Sequence, residues 1–390
     1  MNTYLGIPRA APEGMAARIL LSFLATAGLY YVNIMPALVD GLQQGLHFTN
    51  REAGIVGSLN MYGGACGALL LALVVRRLDW RRWSCRLLLA LVVLDLLSMP
   101  AHTPLVLMGV RFVHGVIGGA LVGLSFSVFA RTPAPDRTFG VLLLVQAAAG
   151  GLGVMVLPLL VPLMGTYVLF AALILFSVVT LLLLQWLPDY PLRVEAAQVA
   201  KLATPAIARS RPLLLSLCAV TLFQAANMGL YAYLIGLGRS AGLSLDFVSG
   251  TLGVANWIAM LGAVMVVVLS TRFGISGPIG GGMLLAVVGS WALLYSHVVW
   301  IWVLANVAAG VAWNFVIAYL LGMCARFDER GSGAVWGGFA SKVGLASGPM
   351  LGALVLGDRQ YALLVWLMLA LLVMAGAAAM LPARSLDQAA

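Results

Sequence analysis

Two basic side chains sit where an apolar chain can least easily hold them. Arg111 lies in the middle of Leu105-Val-Leu-Met-Gly-Val-Arg-Phe-Val-His-Gly-Val-Ile-Gly-Gly-Ala120, and Lys342 lies in Phe339-Ala-Ser-Lys-Val-Gly-Leu-Ala-Ser-Gly-Pro349. A guanidinium stays charged throughout the biological pH range, and its planar fork of donors matches carboxylate and phosphate groups. Either cation is costly in hydrocarbon unless it faces a partner or a wet cavity. Together they are the first candidates for holding an anionic group. His114 follows Arg111 by one helical turn on the same face. It is the side chain whose charge changes nearest neutrality, which suits a proton-coupled step; a packed, neutral histidine is an equal reading.

The elements that carry these residues are membrane spans. The chain has 390 residues, 62% hydrophobic and only 9% charged, with a mean hydropathy of +1.03. A soluble globular protein carries roughly 25% charged residues, so the composition points to an all-α, polytopic membrane protein. Apolar runs predict twelve spans near 17–39, 52–75, 86–101, 104–130, 139–162, 165–187, 212–237, 247–271, 279–297, 299–324, 334–356 and 361–382. The longest connection is the polar stretch from Pro188 to Arg211. It divides the chain into a first six-helix bundle (1–187), a cytoplasmic linker (188–211) and a second six-helix bundle (212–390).

Charge placement sets the expected orientation. With a cytoplasmic N-terminus, 17 of the 22 lysines and arginines fall in cytoplasmic segments, and only Arg51, Arg239 and Arg359 fall outside. Both termini are therefore expected in the cytoplasm of a multi-pass inner-membrane protein. The same distribution removes the nucleic-acid reading that a net charge of +9 invites, because no basic helix or aromatic platform is present. Cys66, Cys85, Cys218 and Cys324 have no paired spacing, so neither a disulfide framework nor a metal cluster is expected.

An internal repeat relates the halves. Gly54-Ile-Val-Gly57-Ser-Leu-Asn60 in span 2 and Gly250-Thr-Leu-Gly253-Val-Ala-Asn256 in span 8 both read GxxGxxN, 196 positions apart. The same offset maps Gln146 of span 5 onto Lys342 of span 11. Two repeated bundles side by side suit a transporter with its substrate site between them. Asn60 and Asn256, recurring symmetrically, are expected to brace helix pairs.

Arg111-Phe-Val-His-Gly115-Val-Ile-Gly118-Gly119 resembles the fourth-span motif of the major facilitator superfamily, and the twelve-span pattern extends the resemblance over essentially the whole chain. The loop after span 2, where that family writes Gly-x-x-x-Asp-Arg-x-Gly-Arg-Arg, reads Ala72-Leu-Val-Val-Arg-Arg-Leu-Asp-Trp-Arg-Arg82 here: the basic residues remain and the acid is displaced to Asp79. Gly150-Gly151-Leu-Gly153 followed by Pro158 loosely resembles the Gly-Pro motif of drug exporters. The resemblance implies the major facilitator fold, a gate at Asp79, Arg81 and Arg82, and a cavity lined by spans 1, 4, 7 and 10 and flanked by 2, 5, 8 and 11. By it, Arg111, Gln146 and Lys342 reach the central space.

Amide and phenol side chains complete the candidate site: Tyr30, Tyr31 and Asn33 in span 1; Gln224, Asn227, Tyr231 and Tyr233 in span 7; Asn306, Trp313 and Asn314 in span 10. Embedded acids are few. Asp40 and Asp246 lie at the outer face and Asp95 lies in peripheral span 3, which disfavours cationic drugs as cargo. No Ser-His-Asp set, phosphate loop, HExxH or CxxC is present, so no enzyme or cofactor is expected. The sequence thus leads to a monomeric, proton-coupled secondary transporter of a small anionic or zwitterionic organic solute. Substrate contacts are expected from Arg111, Lys342, Gln146, Tyr30, Asn33, Asn227, Tyr231 and Asn314, and proton coupling from His114 and Lys342. Export is the favoured direction; uptake of an organic acid or metal-chelating metabolite, or a non-transporting sensor or scaffold, are the alternatives.

Overall fold

Apolar composition gives helices rather than sheets here because hydrocarbon cannot satisfy a free backbone donor or acceptor. In a computed structural model, which describes residues 9–190, 211–270, 272–327, 332–356 and 360–389, the described elements are helical apart from one isolated bridge. The linker lies mostly outside the described residues.

The first leg is α1 (Met15–Asn33) continued by α2 (Met35–Leu46). Ile34 breaks it at φ −104° and ψ 20°. Pro36 follows two residues later, lacks an N–H and crowds the preceding turn. Then come α3 (Asn50–Val74), α4 (Trp80–Ser98), α5 (Pro104–Phe129), α6 (Pro135–Met164) and α7 (Tyr167–Leu183). The second half holds α8 (Arg211–Ser240), α9 (Leu245–Ile258) running on as α10 (Met260–Leu269), α11 (Ser276–Ala292), α12 (Val299–Arg326), α13 (Ser332–Val355) and α14 (Tyr361–Ala389). Ten of these legs are long and apolar enough to cross a membrane by composition alone. The other two are α4, which carries Arg81, Arg82, Arg86 and Asp95, and the glycine- and serine-rich α13. They complete twelve legs in two six-helix bundles.

Local side chains cap the starts of two helices. Thr49 caps α3 in a capping box with Glu52, and Asp79 caps α4 by accepting from the Arg81 and Arg82 amides. Inside the first bundle, α3 and α5 approach so closely that a Cβ on Gly115 would lie 1.9 Å from the Asn60 carbonyl oxygen, and one on Gly119 2.0 Å from that of Gly64. Small residues give this contact its van der Waals attraction, since lipid offers no hydrophobic drive between helices.

The two bundles meet most firmly at the end remote from the chain termini. There α2 and α8 share the Arg239–Asp40 ion pair at 3.3 Å. Tyr233 donates to Asn50 O at 3.4 Å, and Tyr62 and Ser347 join α3 to α13 at 2.8 Å. Deeper in, Tyr231 donates to Asn33 O at 2.9 Å. At the end bearing Arg18 and Arg137 the bundles part around a cavity.

Candidate functional site

The cavity has a volume of about 800 Å³, within the range of sites that enclose small organic ligands. Arg18 and Arg137 stand at its mouth. Further in, α1 contributes Asn33, α6 contributes Gln146, α8 contributes Gln224 and Tyr231, α9 contributes Asn256, and α12 contributes Trp313 and Asn314. Among the described residues that line it there is no aspartate or glutamate.

Hydrogen bonds hold the second-bundle wall in place. Trp313 Nε1 donates to Gln224 Oε1 at 2.6 Å, and Gln224 Nε2 donates to Ser341 Oγ at 2.7 Å. One amide therefore ties α12 to α13 through α8. The Tyr231 and Trp313 rings meet edge-on, with centroids 5.8 Å apart and planes at 69°. The result is an aromatic corner whose tilt is set by both ring packing and amide bonding.

Arg111 is elsewhere. It is 0% exposed and turned into the first bundle, where its Nη1 donates to Asp95 Oδ1 at 2.8 Å. Its Nη2 donates to Leu94 O at 3.0 Å and also to Ser98 Oγ. The guanidinium stacks 5.2 Å from the Phe170 ring centre. Asp95, expected on a peripheral span away from the cavity centre, thus neutralises the residue expected to meet substrate. The antiparallel α4–α5 hairpin explains the pairing: its short turn near Ala101 brings the lone acid of one leg beside the lone base of the next.

His114 belongs to the same cluster, and its bonds define its tautomer. Asn60 Nδ2 donates to Arg111 O at 3.0 Å, so that atom is the amide nitrogen, and it also lies 2.9 Å from His114 Nδ1. Nδ1 must accept, so the proton sits on Nε2, which faces Asp95 Oδ1 at 3.3 Å. A second proton would set N–H against N–H. The geometry holds a neutral imidazole.

The structure therefore does not bring Arg111 and Lys342 together. Lys342 is half-buried on α13, one turn before cavity-lining Leu345, and among the described residues it makes no hydrogen bond or ion pair. Asn33, Gln146, Tyr231 and Asn314 do share the cavity. Asn227 borders a small niche opening off it. Tyr30 is buried and stacks on Phe176 at 4.6 Å. The repeat asparagines have diverged, for Asn60 braces α3 against α5 whereas Asn256 lines the cavity. Asp79 pairs with Arg82 at 3.4 Å, and Arg81 donates to Leu184 O at 2.7 Å and Leu187 O at 2.5 Å. Arg81 thus ties α4 to the end of α7, while Asp79 and Arg82 pair at the start of α4. Burial pulls the Arg81 guanidinium below its ordinary basicity, and Asp189 partly offsets that.

A family model for the Major Facilitator Superfamily matches residues 19–349. The chain belongs to that superfamily. Its fold is similar to that of the nucleoside transporter NupG, with TM-score 0.73 at 15% identity over 94% of this chain and 98% of that one. It is also similar to a bacterial homologue of the human lysosomal transporter Spinster, solved inward-facing and unoccupied, with TM-score 0.72 at 13% identity over 95% of this chain and 97% of that one. No curated protein matches the sequence. As a major facilitator it is a multi-pass membrane transporter with a small-molecule substrate.

Proposed function

We propose that this major facilitator moves a small anionic or zwitterionic organic solute by alternating access, and that the present conformation opens to the cytoplasm. The observation that carries the reading is the cavity's charge: its ionisable lining is Arg18 and Arg137, with no acid among the described lining residues. A cationic mouth over low-dielectric walls concentrates anions. The 17-to-3 division of basic residues supports placing that mouth, and both termini, on the cytoplasmic side of an inner membrane.

Proton coupling falls to Lys342, whose ammonium lacks a counter-ion among the described residues, rather than to His114, whose Nδ1 lone pair is engaged by Asn60. Export, as the motif resemblance suggests, is the direction we favour, and the protein acts as a monomer. A neutral polar solute is a second reading, favoured by the uncharged amides and aromatic corner of the cavity's inner wall; the structural neighbour NupG is a nucleoside transporter.

The test is flux in proteoliposomes under a proton gradient, with a panel of organic acids and amino acids. Arg137→Gln and Lys342→Ala are each expected to cut uptake of the responding solute about tenfold or more, the scale of one charge-assisted contact. Undiminished flux of a carboxylate in both variants would overturn the anionic reading. Ligand binding without flux under any gradient would favour a sensor or scaffold instead.

A further inference from the structure

A niche of about 60 Å³ opens beside the inner wall of the cavity, between α8, α9 and α12. It shares Tyr231, Asn256, Trp313 and Asn314 with the cavity and adds Asn227 and Asn306. This volume exceeds the roughly 10–15 Å³ that one water occupies on the same measure, so a small functional group fits.

Three of its asparagines are oriented by their own helices. Asn227 Nδ2 donates to Phe223 O at 2.8 Å, Asn306 Nδ2 to Trp302 O at 2.8 Å, and Asn314 Nδ2 to Gly310 O at 3.1 Å. A backbone carbonyl only accepts, so the atom facing it must be the amide nitrogen. Each side chain therefore turns its oxygen away from its helix. Among the described residues, none of the three oxygens receives a hydrogen bond. Asn306 is 5% exposed, and its Oδ1 is buried with no partner at all. A buried acceptor left empty is costly, and Asn306 Oδ1, with two further asparagine oxygens unengaged among the described residues, asks for a group that carries several donors.

The geometry points to a subsite for an amino group: the niche takes the ammonium of a zwitterionic solute whose carboxylate or similar anion lies toward Arg137 and Lys342. An ammonium brings three donors and no acceptor, matching three carbonyl oxygens. Tyr231 and Trp313 border the niche and add the attraction of aromatic rings for a cation. A hydroxyl would bring one donor and leave acceptors empty. A carboxylate would meet only acceptors. This inference rests on the anionic-or-zwitterionic reading above and narrows it to amino-bearing solutes bound in one direction.

The test uses the purified full chain in detergent and measures binding by calorimetry. The probes are amino acids, each beside its deaminated carboxylate: phenylalanine with 3-phenylpropionate, alanine with propionate, and glutamate with glutarate. In at least one pair, the α-amino member is expected to bind about tenfold tighter, the scale of a hydrogen bond to a charged group. Asn306→Leu should erase that preference, and Asn306→Asp, which keeps the acceptor, should retain or enlarge it. Asn314→Leu, nearer the open cavity, serves as a second variant should Asn306→Leu not fold. Equal binding of both members, no binding by any amino member, or a preference that survives both leucine variants would each overturn the niche assignment. Deaminated acids that bind and weaken in Arg137→Gln would leave the anionic cavity standing while the niche falls. Failure of both classes would remove both.

Discussion

The polar groups buried in the two bundles are handled in opposite ways. In the first bundle Arg111, Asp95, His114 and Asn60 face one another, and Asp95 Oδ1 takes both a guanidinium N–H and the imidazole. In the second, Asn227, Asn306 and Asn314 are uncharged, donate to their own helices and, among the described residues, leave their oxygens without a donor beside the cavity. Charges removed from water must meet charges, so the first cluster pairs its charges internally, with only Asp95 Oδ2 and Arg111 Nε of that ion pair left without a partner among the described residues. Amides tolerate burial with half their capacity engaged, and so they can wait for a ligand. The first bundle supplies a braced frame, and the second supplies the recognising wall.

Breaking the ion cluster should have the largest effect. Arg111→Met strands Asp95 and is expected to cost about 3–5 kcal/mol of stability, read as a fall in melting temperature of the purified protein, and the pair Arg111→Met with Asp95→Leu should recover most of it. A stable Arg111→Met protein that has lost only transport would put Arg111 back in the substrate path. The helix contact that frames the cluster comes next. Gly119→Ala sets a methyl 2.0 Å from the Gly64 carbonyl oxygen, and forcing α3 and α5 apart should cost about 1–3 kcal/mol in the same assay.

On the recognising side, Gln224→Leu leaves the Trp313 N–H without its acceptor and frees the ring to tilt. The expected loss is about 1 kcal/mol, seen as several-fold weaker solute binding with little change in melting temperature. A large stability loss with binding intact would show that the second bundle also uses its amides as frame. The smallest effect belongs to the outer contact, where Arg239 is partly exposed. Asp40→Asn should shift the balance toward the outward-open form by at most about 1 kcal/mol, detected as up to a few-fold faster thiol labelling of Gln43→Cys, which lines the same outer pocket.

Much of the frame was legible in the chain. Twelve legs and two halves follow from hydropathy and a repeat; the first leg, read as one span over 17–39, instead breaks at Ile34. Asn33, Gln146, Tyr231 and Asn314 were legible as cavity candidates because polar side chains are rare in such legs. Asp95 carried a usable signal as well: one acid and one base alone on adjacent antiparallel legs. Asn306 and Gln224 appeared only as undifferentiated amides, since nothing in a residue's type says which of its atoms its own helix will occupy.

The sequence by itself determined that this is a twelve-leg major facilitator with basic residues gathered toward one face, because lipid imposes length, apolarity and internal hydrogen bonding on every leg alike. Only the tertiary structure decided which cation is spent and which is free. Pairing Arg111 with Asp95 depends on helix rotation about each axis, and a hydrophobic pattern that is apolar all round leaves that rotation undetermined until the helices pack. The same rotation set Asn227, Asn306 and Asn314 around one niche and set Lys342 apart from the residue it was expected to face.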